Sequence, residues 1–165
     1  MPIEKGSTLM AYVFDTNCFI VIGHYYPEQF PRFWEKFNQA VENDKIISVR
    51  EVYRELDRNA AEDHLIEWIE LQKNIFVTPS PAVTQLVKEI FSVPHFKASL
   101  PDRTQLGNNP FADPFVVAQA KVMNYCVVTQ ESERPRAAKV PNICGHFDVD
   151  WTNLQGFMER ENWSF

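Results

Sequence analysis

The sequence predicts a doubly wound α/β fold, with a largely parallel sheet and helices on both of its faces. Three observations carry that expectation. Short, apolar, β-rich runs at 10–15, 46–48, 75–77, 125–129 and 147–149 are separated by stretches with helical periodicity. Strands that alternate with helices in this way imply parallel pairing. The third observation is Asp15, which directly follows the run Ala11-Tyr12-Val13-Phe14 and precedes Thr16-Asn17. A carboxylate at that point lies at the carboxyl edge of a sheet, where open α/β folds place their ligands.

Taken in order, the polar residues 1–9 read as a leader and 10–165 as a single domain. A first strand at 10–15 leads into a short helix over 17–22. Pro27 and Pro31 open a longer helix, on which Phe30, Phe33, Trp34, Phe37, Ala40 and Val41 recur at the spacing of one buried face. A strand at 46–48 continues as a helix over 49–58. Leu65, Trp68, Ile69 and Gln72 mark another helix over 62–73, and a brief extended run at 75–77 is closed by Pro79 and Pro81. Helical periodicity returns over 82–92. From 94 to 110, Asp102, Gly107, Asn108, Asn109 and the prolines predict an irregular loop, long enough to be functional. A helix over 111–124, a buried strand at 125–129, a basic loop at 134–139, a short strand near 147–149 and a helix from Thr152 complete the chain.

Composition narrows the function. At 165 residues, 45% hydrophobic and 13% aromatic, the chain can bury a real core. Its net charge of −6 means that nucleic acid has to be met by a local basic patch and bound cations, not by the overall field. Cys18, Cys126 and Cys144 form no CxxC pair and no zinc spacing with the four histidines, which points to reduced thiols in a cytoplasmic protein. No segment reads as membrane-spanning or as a signal peptide. With five glycines and no Gly-rich phosphate loop, nucleotide hydrolysis is disfavoured.

Three more acids can be argued to the edge that holds Asp15. Glu131 follows the strand at 125–129. Asp113 opens a helix ahead of Pro114, a place where the helix dipole favours a carboxylate by roughly 0.3–1 kcal/mol. Glu55 lies on the helix after the second strand, one turn beyond Glu51. Arg50, Arg54 and Arg58 flank that pair, so an ordinary solvated face is the competing reading for this helix. Two carboxylates ~4 Å apart repel by about 4 kcal/mol at an effective dielectric near 20, so four gathered together require a compensating charge. Mg²⁺ or Mn²⁺ suits all-oxygen ligands and reaches phosphate directly, which points to phosphodiester hydrolysis.

These residues resemble the PIN-domain family. Tyr12-Val13-Phe14-Asp15-Thr16-Asn17 looks like its opening strand and first acid, and Ile47 to Leu56 like its second segment, in which an acid precedes Leu. Phe111-Ala112-Asp113-Pro114-Phe115-Val116-Val117-Ala118-Gln119-Ala120 is similar to the third acid and its small-residue helix. Val127-Val128-Thr129-Gln130-Glu131 is similar to the last strand and its acid. Lys139 to Cys144 looks like a bacterial PIN-like subfamily whose function is not characterised. The resemblance implies a three-layer α/β/α sandwich and metal-dependent RNA cleavage. It also implies the toxin half of a VapC-type toxin–antitoxin pair, with an antitoxin partner and a possible homodimer. Asp15, Glu55, Asp113 and Glu131 are then the catalytic acids, with Asp15, Asp113 and Glu131 on the metal. Thr16 and Asn17 orient Asp15 or contact phosphate.

Two departures stand out. The last acid is usually Asp, and Glu131 is one methylene longer. Glu51 competes with Glu55, which is favoured because Leu56 follows it. Arg134 and Arg136, with Lys139, either steady RNA phosphates beside the metal edge or form a solvated loop. His24-Tyr25-Tyr26 either stack on bases or close a helix pair. A non-catalytic module that binds RNA or protein is the alternative function. A phosphatase that uses a strand-end Asp would need a second Asp where Asn17 stands.

Overall fold

The computed structural model describes residues 10–58, 61–99 and 111–165. Five strands form its sheet: β1 (Tyr12–Phe14), β2 (Ile46–Val49), β3 (Phe76–Val77), β4 (Cys126–Val128) and β5 (Trp151–Thr152). Their spatial order is β3-β2-β1-β4-β5, and every neighbouring pair is parallel. The fold is α/β, as the alternation of elements requires. Val13 pairs with Ile47 on one side and Val127 on the other, so β1 lies at the centre and is apolar throughout.

Helices α1 (Thr16–Gly23) and α2 (Pro31–Glu42) connect β1 to β2. Next, α3 (Arg50–Arg58) and α4 (Asp63–Leu71) connect β2 to β3. The return to β4 runs through α5 (Pro81–Ser92), α6 (Pro94–Ser99) and α7 (Asp113–Met123). Last come α8 (Val140–Phe147) before β5 and α9 (Leu154–Arg160) after it. Several ends are chemically specified. Pro31 and Pro81 begin their helices where a missing N–H costs nothing, and the Ser80 hydroxyl accepts from Val83 N at 3.2 Å. Asn124 and Asp148 stop α7 and α8 in the left-handed conformation that these two residue types tolerate best after glycine.

Aromatic rings fill one side of the sheet. Phe14 meets Phe19 at 5.8 Å, Phe37 at 5.6 Å and Phe157 at 5.1 Å between ring centroids, which fastens α1, α2 and α9 to the central strand. On the other side α7 packs on β1, β2 and β4 and is itself covered by α5 and α8. Each fully buried large apolar side chain contributes roughly 1.5–3 kcal/mol, so this core is the main source of stability. No helix among the described residues is long and apolar enough to cross a membrane.

Four local expectations need correction. Phe30 precedes α2 as its N-cap and is 47% exposed, so the buried face of that helix starts at Phe33. Gln72 lies just past the end of α4. Part of the expected loop, Pro94–Ser99, is the helix α6, anchored by Phe96 at 3% exposure, while 100–110 and the leader 1–9 lie outside the described residues. Finally, 140–147 is helical and the last strand falls at Trp151–Thr152, not near 147–149. Pro141 falls in the first turn of this helix, where proline is favourable, and Val140, Ile143 and Cys144 supply its buried face.

Candidate metal centre

The chain moves outward from β1 through β2 to β3, then returns to place β4 on the opposite side of β1. The switch in direction falls between β1 and β4, and it leaves a crevice at their carboxyl ends. Asp15 N donates to Val128 O at 2.9 Å and closes the two strand ends together. Helices that return from one parallel strand to the next start at this same edge, which is why helix-borne residues converge here with strand-end ones.

Asp15 leaves β1 and caps α1. Its Oδ1 accepts from Thr16 N at 2.8 Å, and its Oδ2 accepts from Thr129 Oγ1 at 2.9 Å and from Asn17 Nδ2 at 3.3 Å. The residue is only 2% exposed. Asp113 is the first residue of α7, and Glu131 stands three places beyond β4. One carboxylate oxygen from each of Asp15, Asp113 and Glu131 lies within 4.8 Å of the other two. Residues nearly a hundred positions apart in the chain thus share one pocket.

Glu55 lies beside this group and is outside it. Its Oε2 accepts from Thr16 Oγ1 at 2.5 Å and its Oε1 from Ala112 N at 2.9 Å, so it braces the residues next to Asp15 and Asp113. Glu51 is elsewhere engaged: it is 4% exposed, and its Oε1 pairs with Arg50 Nη2 at 3.1 Å. Between the two acids on α3, Glu55 is the one that touches the elements carrying the cluster.

Thr129, a fully buried hydroxyl residue that the motif reading left unused, organises the site. Its Oγ1 donates to Asp15 and accepts from Glu131 N at 3.2 Å, so one hydroxyl ties both acids. A β-branched polar residue closing an apolar strand was the available signal. Asn17 accepts from Gln130 N at 2.9 Å while its amide faces Asp15 and Thr129, which engages both ends of the side chain inside the site. Gln130 Oε1 accepts from Leu154 N at 2.8 Å and joins α9 to the same corner. Glu131 uses its extra methylene: Oε2 accepts from Val140 N at 2.8 Å, at the first turn of α8. Arg134 and Arg136 are exposed on the following loop, Arg136 at a φ of 61°.

The electrostatics show what such a pocket lacks. Burial, with smaller pushes from the charges of Glu131 and Glu55, raises the Asp15 carboxyl to about 7 against the pull of its bonds from Thr129 and Thr16. Burial also lifts Asp113 well above the usual carboxylate range, with Asp15, Glu131 and Glu55 adding to the rise and Lys139 opposing it. The positive ends of α1, α7 and α8 all meet these acids, yet partial charges near half a unit do not balance them. The donors are all carboxylate oxygens, and the missing term is positive charge. That set fits a hard, oxygen-loving divalent cation such as Mg²⁺ or Mn²⁺. Cys18, Cys126 and Cys144 are free and buried, so no thiol enters the centre.

The family model for DUF4411, a domain of unknown function, matches residues 12–165. The chain belongs to the DUF4411 family. No curated protein matches it. Among solved structures, this DUF4411 chain is similar to a chain of VapBC2 from Rickettsia felis, solved bound to a DNA fragment from their promoter. The TM-score is 0.53 at 16% identity, covering 87% of this chain and 98% of that one. It is also similar to a chain of FitAcB from Neisseria gonorrhoeae, with a TM-score of 0.50 at 15% identity over 86% and 96% of the two chains. At these identities the likeness is one of fold alone, an α/β arrangement around a parallel sheet.

Proposed function

We propose that this protein is a Mg²⁺- or Mn²⁺-dependent endoribonuclease, the toxin component of a toxin–antitoxin pair acting in the cytoplasm. The observation that carries the reading is the convergence of Asp15, Asp113 and Glu131 at the β1–β4 switch point. The VapC-type motifs and the likeness of fold to a VapBC2 chain support the toxin assignment and an antitoxin partner. A bound divalent ion would supply an activated water and neutralise charge at the scissile phosphate. The chain's own contribution is positional. Asp15, Asp113 and Glu131 hold the ion, Glu55 and Thr129 fix these acids, and Asn17 locks the two strand ends. With a net charge of −6, RNA is met by a local exposed cation beside the acids and not by the overall field. The alternative, a non-catalytic module, drew its support from Glu in place of Asp at the last acid. Glu131 places a carboxylate oxygen in the cluster nonetheless.

Asp15→Asn and Asp113→Asn should each abolish Mg²⁺-dependent cleavage of single-stranded RNA, a loss of at least 10²-fold, while circular dichroism stays native. Cleavage that persists in EDTA, or in folded Asp113→Asn protein, would overturn the proposal.

A further inference from the structure

The loop that follows Glu131 carries three cations, and the structure separates them. Lys139 is the N-cap of α8, and the amide that follows it, Val140 N, donates to Glu131 Oε2 at 2.8 Å. Ordinary bond lengths then place the Lys139 Cα within about 5 Å of a carboxylate oxygen of Glu131, a member of the cluster. Its side chain is exposed and takes part in no ion pair among the described residues. Its charge is felt at Asp113, where it opposes the three acids. Arg134 is tied by its backbone to Asn142, which accepts from its N at 3.4 Å and donates to its O at 2.7 Å.

We infer that Lys139, and neither Arg134 nor Arg136, grips the phosphate of the RNA strand that lies at the acid cluster. The inference rests on the nuclease reading and names the residue that fixes its substrate. A compact ammonium on a flexible four-carbon stem suits a phosphodiester, which needs a point charge more than a planar fork. The placement answers a physical problem of the site. Clustered carboxylates repel the anionic strand that they act on, and a cation on the adjacent helix start gives it a foothold.

The test separates a phosphate grip from a structural role by two readouts of opposite sign. Binding of fluorescently labelled single-stranded RNA is followed by anisotropy in EDTA at several salt concentrations, and Mn²⁺ binding is followed by calorimetry. Lys139→Gln should weaken RNA binding several-fold and reduce the slope of log K against log salt by about 0.7, the value of one phosphate contact on a single strand. It should bind Mn²⁺ at least as tightly as the wild type, because a charge opposed to the cation is gone. Lys139→Arg should restore most RNA affinity, whereas Arg134→Gln and Arg136→Gln should leave affinity and slope at wild-type values. RNA binding unchanged in Lys139→Gln, a parallel loss of Mn²⁺ affinity, or no RNA binding by the wild type would each overturn the inference. Lys139-dependent binding without Mg²⁺-dependent cleavage would uphold the grip and sink the nuclease reading, and cleavage indifferent to Lys139 would do the reverse.

Discussion

Asp15 concentrates the chemistry of this molecule in one side chain. Burial raises its carboxyl to about 7, against 3.8 for the free side chain. Between those values the folded protein holds a proton that the unfolded chain has released. The stability contributed by that proton is complete below about pH 4 and is lost as the pH rises through about 7. Asp113 shifts in the same direction. The metal-free protein, melted in EDTA, should therefore show a Tm that falls from pH 5 to pH 8, and Mg²⁺ should restore most of the difference at pH 8. A Tm flat or rising over that range would show that neither burial nor the neighbouring acids disfavour the ionised carboxylates in the fold. At pH 8 in EDTA, Asp15→Asn should melt several degrees above the wild type, since about 1 kcal/mol moves Tm by roughly 2–4 °C in a domain of this size. A variant that gains stability as it loses cleavage is the signature of a site built for function at the expense of stability.

At the scale of elements, α8 and Glu131 define each other. The glutamate accepts from the first amide of that helix and also offers an oxygen to the cluster, a span that the shorter Asp does not cover in the same way. Glu131→Gln keeps an acceptor for Val140 N and removes the charge, whereas Glu131→Ala removes both. In urea denaturation without metal, the alanine variant should be less stable than the glutamine variant by about 1 kcal/mol, the usual value of a lost helix cap. Both should lose Mn²⁺ affinity in calorimetry. Equal stabilities would mean that Glu131 does not hold α8. Glu55 works in a related way on α3: Glu55→Ala leaves Ala112 N and the Thr16 hydroxyl without their acceptor, a cost of about 1–3 kcal/mol for each group that stays buried.

For the molecule as a whole, the aromatic side of the sheet holds the strands in the register that the site needs. Phe157 on α9 meets Tyr12 at 4.7 Å, Phe14 at 5.1 Å and Trp163 at 5.0 Å, and is 1% exposed. Phe157→Ala should cost about 3–5 kcal/mol in chemical denaturation, the range for truncating a buried aromatic. A cost below 1 kcal/mol would mean that α9 is a loosely attached appendage. The far end of α9 is held by polar contacts as well: Glu161 accepts from Tyr12 at 2.9 Å and from Lys45 at 2.7 Å. The same helix begins against Gln130, so a core contact and a site contact meet in one short element.

Periodicity along the chain determined the α/β class, the order of most elements and the acids worth watching. Each of those depends on local pattern: apolar runs read as strands, stripes as helices, and a carboxylate after a strand lands at a predictable edge. Local pattern failed where a residue's meaning depends on its neighbours in space. The expected strand near 147–149 gives way to α8, which starts beside Glu131, and Thr129 looks like an ordinary strand residue until Asp15 lies 2.9 Å from its hydroxyl. Between Glu51 and Glu55 the sequence favours the latter through Leu56, and tertiary packing supplies the reason by setting Glu55 against Thr16 and Ala112. Convergence itself was decided by topology: strand order, which no local spacing encodes, put β1 beside β4 and brought their acids into one pocket.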